Sequence, residues 1–85
     1  MIIILHKNFE KRYAKLPKKV CERFKERRTM FTQDRFDPIL ENHALSGDWL
    51  GCRSINITGD YRAIFEEDGD IVTFVAIGTH AELYE

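Results

Sequence analysis

The sequence is poor in the residues that mark specialised small proteins: two cysteines, two prolines, five glycines and one tryptophan among 85 residues. Cys21 and Cys52 cannot build the disulfide framework of a secreted mini-protein. No C-x-x-C motif or neighbouring histidine pair makes them zinc ligands, so both are expected as small buried apolar side chains. Scarce Gly and Pro, with 44% hydrophobic and 32% charged residues, exclude collagen-like, elastic and disordered chains. The longest uninterrupted apolar run is Met1 to Leu5. That is far below the ~20 residues that span a bilayer, and it lacks the positive-then-apolar order of a signal peptide. A soluble, cytoplasmic protein without a membrane partner is expected. No Walker loop, G-x-S-x-G elbow, H-E-x-x-H helix or dinucleotide fingerprint occurs, so nucleotide hydrolysis, serine hydrolysis and zincin chemistry lack support. No cofactor or metal is implied. A chain this short buries only roughly 60 to 65% of its unfolded surface, enough for a single domain spanning residues 1–85.

What is present is a charge asymmetry. The formal net charge is -1, yet residues 1–33 hold ten Lys or Arg against three acids, while the remainder holds three Arg against eleven acids. The basic segment includes Lys18, Lys19, Lys25, Arg27 and Arg28. Such a segment suits a polyanion or an acidic partner; the same residues would also serve as an ordinary solvated helix face.

The pattern of apolar residues predicts an α+β fold. Met1 to Leu5 is apolar on both faces and reads as a central strand. Asn8 can cap a helix whose Phe9, Tyr13 and Leu16 share a face. Pro17 then opens a second helix with Val20, Phe24 and Phe31 as its buried stripe, giving an αα-hairpin. Asp37-Pro38 starts a brief helical turn through His43, followed by a Leu45–Asp48 loop. From Cys52 the period becomes two, and Cys52–Ile57, Tyr61–Glu66 and Ile71–Ile77 form a three-stranded antiparallel meander. Asp68-Gly69 marks a hairpin whose type I′ turn needs positive φ at both central residues. The helices are expected on one face of a four-stranded sheet.

Candidate chemistry is concentrated in the second half. His80 follows the last strand, where a short loop can present an imidazole suited to proton transfer; a lone histidine is also often idle. Arg53 and Arg62 on neighbouring strands could clamp a phosphate, or Arg62 could pair with Asp60 or Glu82. Tyr84 offers a ring for stacking a base, and His43 a second titratable ring. Trp49 fits either stacking or core packing. A metal-free ribonuclease needs only a base near the ribose 2′-oxygen, an acid near the leaving 5′-oxygen, and positive charge on the phosphate.

Four runs carry a resemblance: His43-Ala44-Leu45-Ser46-Gly47, then Gly51 to Ile57, then Gly59-Asp60-Tyr61-Arg62, and last Phe74 to Tyr84 with its Ile77-Gly78-Thr79-His80-Ala81-Glu82-Leu83-Tyr84. Together they resemble the RelE/ParE toxin superfamily, most of all its YafQ branch, over essentially the whole chain. The resemblance implies the toxin of a type II toxin-antitoxin pair. Such a toxin is a cytoplasmic, metal-independent endoribonuclease that cleaves mRNA at the ribosomal A site and inhibits translation. Its implied partners are a cognate antitoxin, the ribosome with its mRNA, and operator DNA only through the antitoxin. It further implies catalytic roles for His80, Tyr84, His43, Asp60 and Arg62. Arg53 falls in the strand that carries the family's basic residues, and the second-helix basic cluster Lys18, Lys19, Lys25, Arg27 and Arg28 is the expected RNA-facing or antitoxin-facing surface.

Two residues depart from the YafQ pattern. Asn56 stands in place of a proton-transferring histidine, and Asn cannot take a proton at neutral pH. Ala76 stands in place of an arginine that would stabilise transition-state charge. The alternative is therefore a catalytically depleted module of the same fold that binds an antitoxin without cutting RNA. Gyrase inhibition, the activity of the ParE branch, is disfavoured because Gly78-Thr79-His80 belongs to the ribonuclease side.

Overall fold

The computed structural model describes residues 1–85. The chain runs through β1 (Ile2–Leu5), α1 (Lys7–Tyr13), α2 (Lys18–Gln33), a 3-10 turn (Pro38–Leu40) and β2 (His43–Ala44). A second 3-10 turn (Gly47–Trp49), β3 (Arg53–Asn56), β4 (Tyr61–Asp68), β5 (Ile71–Thr79) and α3 (His80–Tyr84) complete it. No helix is long and apolar enough to cross a membrane. The α+β class and the helix pair follow the sequence, as does the hairpin order of the last three long strands. The sheet has five strands rather than four, in the order β1-β5-β4-β3-β2.

Local chemistry explains most of the boundaries. His6, two residues before the expected cap, accepts the Asn8 N–H on its Nδ1 at 3.0 Å and so starts α1. Pro17 caps α2 from just outside it, with its carbonyl taking the Val20 and Cys21 N–H groups. Asp37 caps the 3-10 turn as expected, accepting from Ile39 N–H at 2.9 Å ahead of Pro38. That turn ends at Leu40 rather than reaching His43, which lies in β2. In the β4–β5 hairpin the central residues are Gly69 and Asp70, and only Gly69 has positive φ. Positive φ at the first central position alone is the type II′ pattern rather than type I′.

β1 is an edge strand, not a central one. It pairs in parallel with β5, from Ile2 opposite Ile71 to Leu5 opposite Phe74, and has no strand on its other side. Ile3 and Leu5 turn toward the core, whereas Ile2 and Ile4 are 56% and 45% exposed. Its apolar character on both faces therefore did not mean burial on both faces.

The core lies between the helix pair and one face of the sheet. Phe9, Val20, Phe24 and Phe31 from the helices meet Ile55, Ile57, Ala63, Phe65, Val72, Phe74 and Ile77, with Leu40 closing one side. Phe74 is surrounded by the rings of Phe9, Phe24, Phe31 and Phe65 at centroid distances of 5.4–6.0 Å. Near the middle of β5 the register slips: Ile64 faces Ala76 while Phe65 faces Phe74, leaving Val75 unopposed. This bulge lets Phe74 and Ile77 both face the helices. It thereby sends Ala76 and Gly78 to the opposite, open face of the sheet.

The two helices are clasped at their junction. The Tyr13 hydroxyl donates to the Cys21 carbonyl at 3.1 Å, and the Cys21 thiol donates to the Tyr13 carbonyl at 3.5 Å. Both cysteines are free and half-buried rather than fully buried. Burial, followed by the neighbouring Cys21, raises the Tyr13 pKa above its ordinary 10.0. The folded chain then holds a proton that the unfolded chain releases. Tyr13 therefore contributes stability that is complete below pH 10 and is lost as pH rises through the window above it. In urea melts between pH 7 and 11, Tyr13→Phe is expected to lose about 0.5–1.5 kcal/mol at neutral pH from the missing hydrogen bond. Above pH 10 the gap between the two proteins should narrow, and a constant gap would refute this account. Burial, and after it the Glu66 carboxylate, also pushes the Cys52 thiol up, which disfavours the reactive thiolate.

Candidate active site

The strand register assembles most of the expected residues on the open face. His43 pairs with Ser54, Asn56 with Arg62, Arg62 with Gly78, and Ile64 with Ala76, all on the side away from α1 and α2. His80 is not in a loop: it is the first residue of α3. The helix is capped reciprocally, with Thr79 Oγ1 accepting from Glu82 N–H at 3.2 Å and Glu82 Oε1 accepting from Thr79 N–H at 2.8 Å. That T-x-x-E signature stood in the sequence as Thr79 and Glu82.

Further contacts pin α3 over the sheet end. The His80 N–H donates to the Asp60 carbonyl at 3.2 Å, and the Trp49 indole N–H donates to the Leu83 carbonyl at 2.9 Å. Trp49 thus anchors α3 and is half-buried rather than displayed for stacking. Glu82 pairs with Arg12 of α1, so it is not the partner of Arg62. Gly78 permits the close approach: a Cβ there would lie 3.2 Å from Glu82 Oε1 and 3.3 Å from Glu82 Cβ.

The result is a cleft of about 230 Å³ lined by His43, Leu45, Ser46, His80 and Tyr84. The two imidazoles stand on different elements, β2 and α3, and both are exposed. The His80 and Tyr84 rings are 4.8 Å apart at an angle of 60°. His80 Nδ1 also lies 4.0 Å from the Glu85 carboxylate. Tyr84 keeps its hydroxyl buried without a hydrogen-bond partner, as Asn56 does its Oδ1.

Arg62 stands behind His43 as a strut. Its Nε donates to Ser54 Oγ at 3.0 Å, and its Nη2 donates to the Glu41 carbonyl at 2.8 Å and the Ser54 carbonyl at 3.3 Å. Nη1 has only the Glu41 carboxylate, 3.6 Å away. Arg62 is therefore held by Glu41 and Ser54, and Asp60 is not its ion-pair partner. Asp60 is exposed and reaches the site through the backbone bond to His80.

The remaining expected residues lie elsewhere. Arg53 alternates to the helix side of the sheet, where its Nε donates to Asn42 Oδ1 at 2.8 Å and its guanidinium covers the Phe36 ring at 5.5 Å. Lys18, Lys19, Lys25, Arg27 and Arg28 belong to α2, across the sheet from the cleft. Within that set, Lys18 lies 4.0 Å from Glu22, Arg27 reaches the Ile57 carbonyl at 3.5 Å, and Arg28 sits over Phe24 at 5.6 Å. Sequence reasoning missed Glu41, whose position behind His43 has no sequence signature.

Residues 2–85 match the family described as "Bacterial toxin of type II toxin-antitoxin system, YafQ". The chain belongs to the YafQ family of type II toxins. Its fold is shared with solved YafQ structures. The crystal structure of YafQ from Escherichia coli strain BL21(DE3) superposes with a TM-score of 0.81 at 23% identity, covering 98% of this chain and 97% of that one. YafQ in the E. coli DinJ-YafQ complex gives 0.78 at 23% identity, with the same coverage. The YoeB/ParE toxin from Agrobacterium tumefaciens gives 0.76 at 16% identity, covering 94% of this chain and 99% of that one. At these identities the likeness is one of fold. No curated protein sequence matches the chain significantly. This YafQ-family chain carries Asn56 beside Arg62 and Ala76 opposite Ile64. Both departures noted in the sequence therefore fall on the face of the sheet away from α1 and α2, though neither lines the cleft itself: Ala76 borders a separate hollow with Arg12, Trp49 and Glu82.

Proposed function

We propose that the chain is a metal-independent endoribonuclease that cleaves mRNA in the ribosomal A site and is silenced by a cognate antitoxin. The observation that carries this reading is that His43 and His80 line one open cleft, with the Tyr84 ring beside His80. Two imidazoles on separate elements can divide the proton work of a transesterification. One takes the proton of the ribose 2′-OH as that oxygen bonds to the adjacent phosphorus. The other gives a proton to the 5′-oxygen as the P–O5′ bond breaks, leaving a 2′,3′-cyclic phosphate and a free 5′-hydroxyl. His43 suits the first role and His80, at the start of α3 on the rim, the second. Tyr84 provides a face for a base. Arg62 lends positive charge from behind His43.

Attraction to the ribosome falls to α2, because the second half of the chain is acidic and non-specific RNA affinity comes from Lys and Arg. Lys18, Lys19, Arg23 and Lys25 are its exposed cations, with Arg23 paired to Glu26. Arg53, paired with Asn42 on the helix side, is assigned to that outer surface rather than to the cleft. Operator DNA is a partner only through the antitoxin, and the toxin acts in the cytoplasm.

A specific observation favours a second reading, an antitoxin-binding module without ribonuclease activity. Asn56 offers no titrating group, Ala76 offers no cation, and Arg62 is largely spent on Glu41 and Ser54. Induced expression of the chain alone in a bacterial host, with primer-extension mapping of mRNA, separates the readings. Growth arrest with translation-dependent cuts that vanish in His80→Ala is the expected result. Normal growth with intact mRNA would establish the binding module.

A further inference from the structure

We infer that Glu41 is a positioning residue whose left-handed backbone carbonyl holds His43 in the Nδ1–H tautomer, leaving Nε2 as the atom that exchanges the proton. The inference rests on the cleavage reading for its consequence, though not for its geometry. Glu41 has φ 47° and ψ 47°, and it is the sole non-glycine residue with positive φ. That conformation costs an L-residue with a Cβ about 1–2 kcal/mol, so something must hold it there.

The carbonyl of Glu41 is that something. It accepts from Arg62 Nη2 at 2.8 Å and contacts His43 Nδ1 at 2.9 Å. A carbonyl oxygen can only accept, so the second contact is a hydrogen bond only if Nδ1 carries the proton. Arg62 Nη2 and His43 Nδ1 also lie 3.3 Å apart. In the opposite tautomer Nδ1 would accept from Nη2 across that gap, but the Glu41 oxygen is the nearer partner of Nδ1, and with the proton on Nδ1 the two donors converge on it. Arg62 in turn is fixed by Ser54, whose side chain is fully buried in β3. The oxygen that selects the tautomer is thus referenced to the sheet. With Nδ1 committed, the lone pair of a neutral His43 resides on Nε2.

The carboxylate of Glu41 contributes little to this. It is 63% exposed and stands 3.6 Å from Arg62 Nη1. Backbone conformation, not side-chain charge, is the functional property of the position. Glycine and asparagine adopt left-handed φ readily, whereas a β-branched residue does not.

The test is ring-labelled histidine ¹⁵N NMR at a pH well above the ordinary imidazole range, on the wild type, Glu41→Gly, Glu41→Asn and Glu41→Val, paired with cleavage kinetics. The expected result is an Nδ1–H His43 in the wild type and in the Gly and Asn variants. Glu41→Val should show Nε2–H character and a rate loss on the order of 10²-fold, as for a displaced catalytic group. An Nε2–H tautomer in the wild type overturns the inference whether or not Glu41→Val folds. Loss of the tautomer in Glu41→Gly also overturns it, by making the carboxylate essential. An Nδ1–H His43 in a wild type that cuts no RNA upholds the tautomer assignment and removes the cleavage reading instead.

Discussion

Phe74→Ala is expected to bring the protein to the edge of unfolding. Phe74 is fully buried at the meeting point of β5, α1 and α2, within 6.0 Å of four other aromatic rings. Removing a buried phenyl costs about 3–5 kcal/mol through lost transfer energy and the cavity left behind. Each lost aromatic pair adds roughly 0.5–1.5 kcal/mol where the geometry is edge-on or tilted, which places this site at the upper end. A domain of this size has a total stability of roughly 4–13 kcal/mol. The thermal midpoint should therefore fall by about 20 °C or more, at roughly 4–8 °C per kcal/mol. Phe74→Leu, which keeps an apolar side chain in the site but loses the same ring pairs, should cost less than Phe74→Ala yet more than the roughly 1.5 kcal/mol of a volume-conserving swap. Phe36→Ala, removing a 59% exposed ring stacked under Arg53, should stay within about 0.5 kcal/mol. Equal losses for Phe74→Ala and Phe36→Ala in a calorimetric comparison would contradict this view of the core.

The largest effect on activity is expected at the two imidazoles. If His43 and His80 divide one proton-transfer cycle, replacing either by Ala should lower the single-turnover cleavage rate about 10²–10⁴-fold. The double variant should be only a few-fold worse, at roughly the level of the weaker single, because groups that act as a unit fail together. Independent contributions would instead multiply, and a multiplicative double variant would separate the two residues. All variants should keep their melting temperatures, since both side chains are exposed. A variant that loses rate and stability together would point to misfolding rather than chemistry.

Much of this arrangement could be read from the chain because its signals are local. Asp37-Pro38 and Gly69 each impose a backbone geometry by themselves. The stripe of Val20, Phe24 and Phe31 needs only helical periodicity to be visible. What stayed hidden depends on partners far away in sequence. The edge position of β1 follows from parallel pairing with β5, which no feature of Met1 to Leu5 encodes. β2 is two residues long and carries no alternation. The Val75 bulge shifts the inward face of β5 by one residue, which the consecutive apolar residues Phe74 to Ile77 conceal. In the site, His43, His80 and Tyr84 were legible as chemistry-bearing types, whereas the grip of Glu41 on His43 and Arg62 belongs to backbone conformation. Arg53 illustrates the converse: strand alternation alone, counted from Ile55, turns it toward the helices.

The parallel pairing of β1 with β5 also sets when the protein can come into being. β1 has no strand neighbour until Ile71 to Phe74, beyond both helices and the rest of the sheet in chain order, are in place. His80 lies a few residues beyond that same segment. Every incomplete chain ending before residue 71 therefore lacks both the partner of its first strand and one wall of its cleft. Sheet completion and acquisition of the second imidazole coincide, so a chain cut short before β5 has neither a finished sheet nor an assembled cleft.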